Sequence, residues 1–169
     1  LVGGGDPTLQ TDQLGDLAHG FAWSSLAYLP GLEGVDLRLT VRDRPLEEAE
    51  RLLEQGATAL EERVGRYAYT RGPRDLVEVV LDGCRAHDRS VAVAESCTGG
   101  MLGMRLTAIP GSSDVVLGGV IAYANPVKVA QLGVREATLQ AHGAVSEETA
   151  REMARGARER IGADVGVSI

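Results

Sequence analysis

From Val35 to Val41 the chain alternates without a break, with Val35, Leu37, Leu39 and Val41 on one side and Asp36, Arg38 and Thr40 on the other. A strict period of two predicts a strand with one buried and one wet face. On both sides of it the period becomes helical. Leu14, Leu17, Ala18, Phe21 and Ala22 predict a helix over Leu9–Trp23. Leu46, Ala49, Leu53, Leu60 and Val64 predict the inner face of a helix over Leu46–Val64, with Pro45 at its first position. Leu29–Gly34 (LPGLEG) reads as turn punctuation, Tyr67–Tyr69 as a short second strand and Gly72–Pro73 as a break. Leu1–Pro7 has no apolar period and reads as a flexible end or linker. Residues 1–72 are therefore expected to hold a small α+β unit in the order helix, strand, helix, strand.

The pattern changes near Asp75. Leu76, Val79, Val80 and Cys84 give a helical stripe that ends near His87. Val91–Ala94 is a run of small apolar residues, the signature of a fully buried strand. The turn ESCTGG (Glu95–Gly100) follows, and then a helical run, Met101–Thr107. Pro110–Asp114 reads as a loop and Val115–Ala124 as a second buried strand, with Gly118–Gly119 as a candidate bulge. Asn125–Pro126 opens a short helix to Leu132, and Gly133–Gly143 reads as a linker with one helical turn. Ser146 is a candidate N-cap for a helix over Glu147–Ile161, with Ala150, Met153, Ala154, Ala157 and Ile161 inward and Gly162 as its stop. Asp164–Ile169 reads as a third strand. Strands alternating with helices predict α/β architecture: a three-layer α/β/α sandwich with a mostly parallel sheet over residues 73–169.

Composition narrows the function classes. Among 169 residues, 44% are hydrophobic and only 4% aromatic, so the cores are expected to be built from Leu, Val and Ala. The net charge of -7 argues against a general phosphate-backbone binder. Arg38, Arg42, Arg44 and Arg51 stand among Glu47, Glu48, Glu50 and Glu54, which reads as a mixed solvated surface. No nucleic acid and no membrane partner is expected. Cys84 and Cys97 form no CxxC pair, and His19, His87 and His142 are scattered, so a cytoplasmic setting with neither metal nor cofactor is expected. Open sheet edges make self-association into a homo-oligomer the expected state.

The candidate chemistry gathers at two strand ends: Glu95, Ser96, Thr98, Gly99 and Gly100 at the first, Tyr123, Asn125 and Lys128 at the second. Strand, tight turn and helix place Ser96 at the carboxyl end of a sheet strand, where open α/β sheets bind ligands. The plainer alternative is a βα turn in which Ser96 and Thr98 only cap the next helix. A serine nucleophile needs a base. No histidine is placed to supply one, but a lysine or tyrosine with a lowered pKa can, and adjacent parallel strands would bring Lys128 and Tyr123 to Ser96. Between those two the sequence leaves the proton acceptor open. The alternative for both is a solvated lysine and a core tyrosine.

AESCTGG, PGSS, VIAYANPVK, LGV, HGAVSEETAREMA and DVGVSI resemble, in order and spacing, the carboxyl-terminal domain of the CinA (competence-damage-inducible) family over about Asp75–Ile169. YLPGLEGVDLRLTV is similar, more loosely, to that family's KH-like middle domain. The resemblance implies a nicotinamide-nucleotide amidase. Such an enzyme hydrolyses the carboxamide of nicotinamide mononucleotide, releasing ammonia, in pyridine-nucleotide recycling. By that resemblance Ser96 is the nucleophile, and Tyr123 and Lys128 are the proton-transfer residues. Glu95, Thr98, Gly99, Gly100 and Asn125 then fall to substrate binding, with N–H groups near Thr98–Gly100 holding the oxyanion or the substrate phosphate. In the family a strand like DVGVSI leads into a glycine-rich loop and a substrate-binding arginine, so this stretch is expected to be truncated and to lack part of the site. A non-catalytic nucleotide-sensing or scaffold domain is the alternative from another class.

Overall fold

The computed structural model describes residues 14–31 and 34–169. The expected linker Leu1–Pro7, and the start of the helix expected over Leu9–Trp23, lie outside the described residues. The chain divides into two compact units after Leu76.

In the first unit a 3-10 turn, Gly15–His19, ends at Gly20. It is followed by an antiparallel hairpin of β1 (Ser25–Gly31) and β2 (Gly34–Thr40), in register from Ser25–Thr40 to Gly31–Gly34. Strand β1 corrects the reading of Leu29–Gly34 as turn alone. Pro30 and Gly31 are poor strand residues, but on an edge strand a missing donor costs little. Helix α1 has the expected bounds, Leu46–Val64. Its buried face is Leu52, Gly56, Leu60 and Val64, whereas Leu46 is 75% exposed. Gly56 explains the shift: a Cβ there would lie 2.8 Å from both Leu39 Cδ1 and Trp23 Cη2, so the hairpin packs where the helix has no side chain. Tyr67–Tyr69 does not form a strand; a 3-10 turn, Gly65–Tyr67, precedes a single bridge residue, Ala68.

The second unit runs α2 (Leu76–Ala86), β3 (Val91–Glu95), α3 (Met101–Thr107), β4 (Val116–Ile121), α4 (Asn125–Leu132), α5 (Glu136–His142), α6 (Glu147–Ile161) and β5 (Val165–Ser168). The sheet order is β4-β3-β5, and both pairings are parallel. Central β3 is buried at every position. Its alternation divides two cores. Ala92 and Ala94 pack with Ala122, Leu132, Val134, Met153 and Ala157, and Val93 packs with Val77, Leu81, Leu106 and Val115. Helices thus cover both faces, and the mixed α/β class with its layered parallel sheet is as the sequence predicts.

The bulge is real: Val91 pairs with Val116 but Ala92 with Gly118, leaving Leu117 extra, and Gly118 adopts φ 142. Ser146 caps α6 by accepting from Thr149 N at 3.2 Å, and Gly162 ends the helix in the left-handed region. Four expectations shift. Strand β4 is not the buried strand expected over Val115–Ala124: its positions alternate between half-buried and exposed, because it has only one sheet neighbour among the described residues. The α2 stripe is Val77, Leu81 and Cys84, with Val80 turned outward. The stretch Gly133–Gly143 contains a helix rather than a single turn. Asn125 lies inside α4 and makes no side-chain cap, the N-cap position being Ala124. No described helix is long and apolar enough to cross a membrane.

Helix α5 is tied to α6 through Glu152. Its carboxylate accepts from Arg135 N and Thr138 Oγ1 at 2.8 Å and pairs with the Arg135 guanidinium. The guanidinium, above all, holds the Glu152 carboxyl at about 2. Its folded value lies below its unfolded one, so its contribution is complete above about pH 4.5 and is lost as the pH falls towards 2. Glu152→Gln should therefore lower the thermal midpoint at pH 7, by an amount corresponding to about 1–3 kcal/mol, and much less at pH 3. Melting curves at the two pH values check this.

Candidate active site

Strand β3 delivers Ser96 between the ends of its two neighbours. Ser96 N donates to Ile169 O at 2.7 Å, and on the other side Ala122 N donates to Glu95 O at 2.7 Å. The backbone at Glu95 and Ser96 is thereby pinned to both flanking strands.

Lys128 sits on the inner side of α4 and is the largest fully buried side chain among the described residues, 1% exposed. Its Nζ lies 2.9 Å from Ser96 Oγ, 2.6 Å from Ala122 O and 2.8 Å from Tyr123 O. Among the described residues no carboxylate pairs with it. Burial pushes the ammonium below the ordinary lysine range, opposed in part by the nearby Cys97 sulfur. A neutral amine has two N–H donors and one lone pair. In that state the two carbonyls would take the donors and the lone pair would face the Ser96 hydroxyl, whereas an ammonium donates to all three oxygens.

Tyr123 enters this arrangement through its main chain. Its side chain is 76% exposed, and among the described residues its hydroxyl makes no hydrogen bond. The structure therefore brings Lys128 to Ser96 and does not bring the Tyr123 hydroxyl there. Asn125 is exposed at the start of α4.

Glu95 turns its carboxylate into the protein. It is 2% exposed and points along the Val93 side of β3, towards α3. Its carboxylate accepts from the N–H groups of Gly100 (3.0 Å), Leu102 (3.0 Å) and Gly103 (2.7 Å). Burial pushes this carboxyl up, but those N–H groups outweigh it and hold it below the ordinary range. The Thr98 hydroxyl is buried beside the same carboxylate, short of full hydrogen-bond geometry. Its oxygens are thus turned inward, towards the start of α3.

The same contacts redraw the donor set. Gly99 N is taken by Ser96 O, and Met101 N by Thr98 O. From Gly99 to Gly103 every N–H is used internally. The free main-chain donors beside Ser96 are those of Cys97 and Thr98, which have no partner among the described residues. Gly99 and Gly100, at φ 57 and 107, turn the chain; a Cβ on Gly100 would lie 3.0 Å from Ile121 Cδ1. Sequence reasoning found Ser96 and Lys128. It named the N–H groups near Thr98–Gly100, of which Gly99 N and Gly100 N are occupied, and it missed the Cys97 N–H and the carbonyls of Ala122 and Tyr123, because residue identity does not show how main-chain groups are paired.

The sequence model of the CinA C-terminal domain matches residues 73–169, and that of the damage-inducible protein CinA KH domain matches residues 9–70. The chain belongs to the CinA family. A CinA-like protein of Gemmatimonas aurantiaca is 56% identical over 158 residues, covering 94% of this chain and 37% of the relative. A CinA-like protein of Salinibacter ruber is 47% identical over 168 residues, covering 99% and 40%. The chain thus spans well under half the length of these relatives. Among solved structures, the competence/damage inducible protein CihA of Agrobacterium tumefaciens has a TM-score of 0.50 at 39% identity, over 57% of this chain and 59% of that one. The competence damage-inducible protein A (ComA) of Klebsiella pneumoniae has a TM-score of 0.52 at 36% identity, over 53% and 55%. In this CinA-family chain the buried serine–lysine contact lies within the C-terminal domain match.

Proposed function

We propose that the second unit is an amidase with Ser96 as nucleophile and Lys128 as base, acting on the carboxamide of nicotinamide mononucleotide. The observation that carries the reading is the 2.9 Å contact between the buried Lys128 Nζ and Ser96 Oγ. Ser96 Oγ attacks the amide carbon as its proton passes to Nζ. The oxyanion that forms is received by the N–H groups of Cys97 and Thr98. The C–N bond then breaks, Nζ returns the proton to the leaving nitrogen, and ammonia departs. Water, deprotonated by the same amine, hydrolyses the acyl-serine to the acid and restores Ser96. The choice of a pyridine mononucleotide rests on the family resemblance. The chemistry of attack rests on the site.

Ser96→Ala should reduce ammonia release from the mononucleotide in the intact protein by at least about 10³-fold, with an unchanged melting midpoint. Turnover surviving that change would remove Ser96 from the reaction. Tight mononucleotide binding by the unmodified protein, with no ammonia released, would instead favour a sensing role.

A further inference from the structure

A buried carboxylate at the end of an apolar strand calls for a reason. β3 reads Val-Ala-Val-Ala-Glu and is buried throughout. A buried charge persists only where donors compensate it. Glu95 has N–H donors from Gly100, Leu102 and Gly103, and no cation is among its partners. It is thus anchored at both ends of the turn that carries Ser96: by its own backbone in β3, and by its carboxylate to the first turn of α3.

We infer that Glu95 is a positioning residue for the nucleophile, its carboxylate clamping the Ser96–Gly100 turn so that the Cys97 and Thr98 N–H groups stay free and aimed beside Ser96 Oγ. The first effect is geometric. The clamp joins residue 95 to residues 100–103 and closes the turn into a ring, within which Gly99 N also bonds Ser96 O at 3.1 Å. The second is exclusive. The N–H groups that would draw an anion to the start of α3 are already occupied, so negative charge developing on a bound amide meets only the donors adjacent to the nucleophile. Gln has the same shape but carries an NH₂ where an oxygen accepts, and that NH₂ would oppose an N–H. The turn must then open or rotate.

This inference rests on Ser96 being the nucleophile, so its test reads Ser96 directly as well as turnover. Glu95→Gln in the intact protein should slow covalent labelling of Ser96 by a fluorophosphonate probe, and lower kcat for ammonia release, by about 10- to 100-fold, with KM within about twofold. A folded variant that labels within twofold of the unmodified protein would overturn the inference, as would losses that only track the unfolded fraction. If Glu95→Gln does not fold, Gly103→Ala decides. Its Cβ would stand 3.2 Å from Glu95 Oε1, displacing the carboxylate with its charge retained. Slower labelling of this variant supports the clamp, and an unchanged rate overturns it. Slowed labelling by a protein that never releases ammonia would sink the amidase reading and leave the clamp standing.

Discussion

Lys128→Met should abolish catalysis while leaving the second unit folded. Methionine nearly matches the length of the lysine side chain and suits a site that is 1% exposed. The change deletes the only side-chain group within hydrogen-bond distance of Ser96 Oγ among the described residues. General base catalysis is commonly worth about 10²–10⁴-fold, and nucleophile and base fail as a unit, so a loss of at least about 10³-fold in kcat/KM is expected. Stability should change less than for an ordinary buried-charge deletion. The desolvation penalty of the amine is removed, while the Ala122 and Tyr123 carbonyls lose a donor. Tyr123→Phe offers the contrast. The Tyr123 hydroxyl makes no hydrogen bond among the described residues and its contribution to the site is a carbonyl, so activity should stay within a few-fold.

Gly156→Ala should be among the most damaging single changes in the molecule, although it lies away from the chemistry. A Cβ at Gly156 would stand 1.9 Å from Leu132 O, a main-chain atom at the end of α4. Helix α6 therefore meets the end of α4 backbone to side-chain-less backbone. Relief requires a shift of one helix against the other, through the core that holds Leu132, Met153 and Ala157. Overpacking against atoms that cannot change rotamer is expected to cost about 3–5 kcal/mol, lowering the thermal midpoint by more than about 10 °C. Because α4 also carries Lys128, the folded remainder should show reduced activity. Gly83→Ala is the control of opposite sign. It lies inside α2 with nothing within 4 Å of its Cβ position, so helix propensity alone should stabilise it by up to about 1 kcal/mol. Thermal melts of both variants check the pair.

Most of the layered architecture was legible because it rests on periodicity. The bounds of α1, α3 and α6 follow from apolar spacing with a Pro, Gly or Ser signal at their ends, and β3 follows from its unbroken apolar run. What failed has a common physical source. The inner face of α1 is shifted by Gly56, and α6 meets α4 at Gly156 although Met153, Ala157 and Ile161 face inward as expected, because hydrophobic spacing does not register a missing side chain. Strand β1 was hidden by Pro30, acceptable on an edge but discounted by propensity. At the site, Ser96 and Lys128 could be read from residue type and their place after successive strands. Which of the Lys128 and Tyr123 side chains reaches Ser96 could not, because it depends on which way the chain turns after Ala122. The direction of the Glu95 carboxylate was hidden for a similar reason. A carboxylate beside a serine suggests substrate contact, and only the path of α3 shows that its lone pairs are spent on main-chain donors.

The central claim is that a buried, deprotonated Lys128 activates Ser96, and the pH dependence of Ser96 labelling by a fluorophosphonate tests it most directly. The labelling rate should rise with pH through a midpoint below 10.5, the ordinary lysine value, because burial favours the neutral amine, and that rise should vanish in Lys128→Met. Labelling that is independent of pH, or that rises identically with and without the lysine amine, would contradict the account.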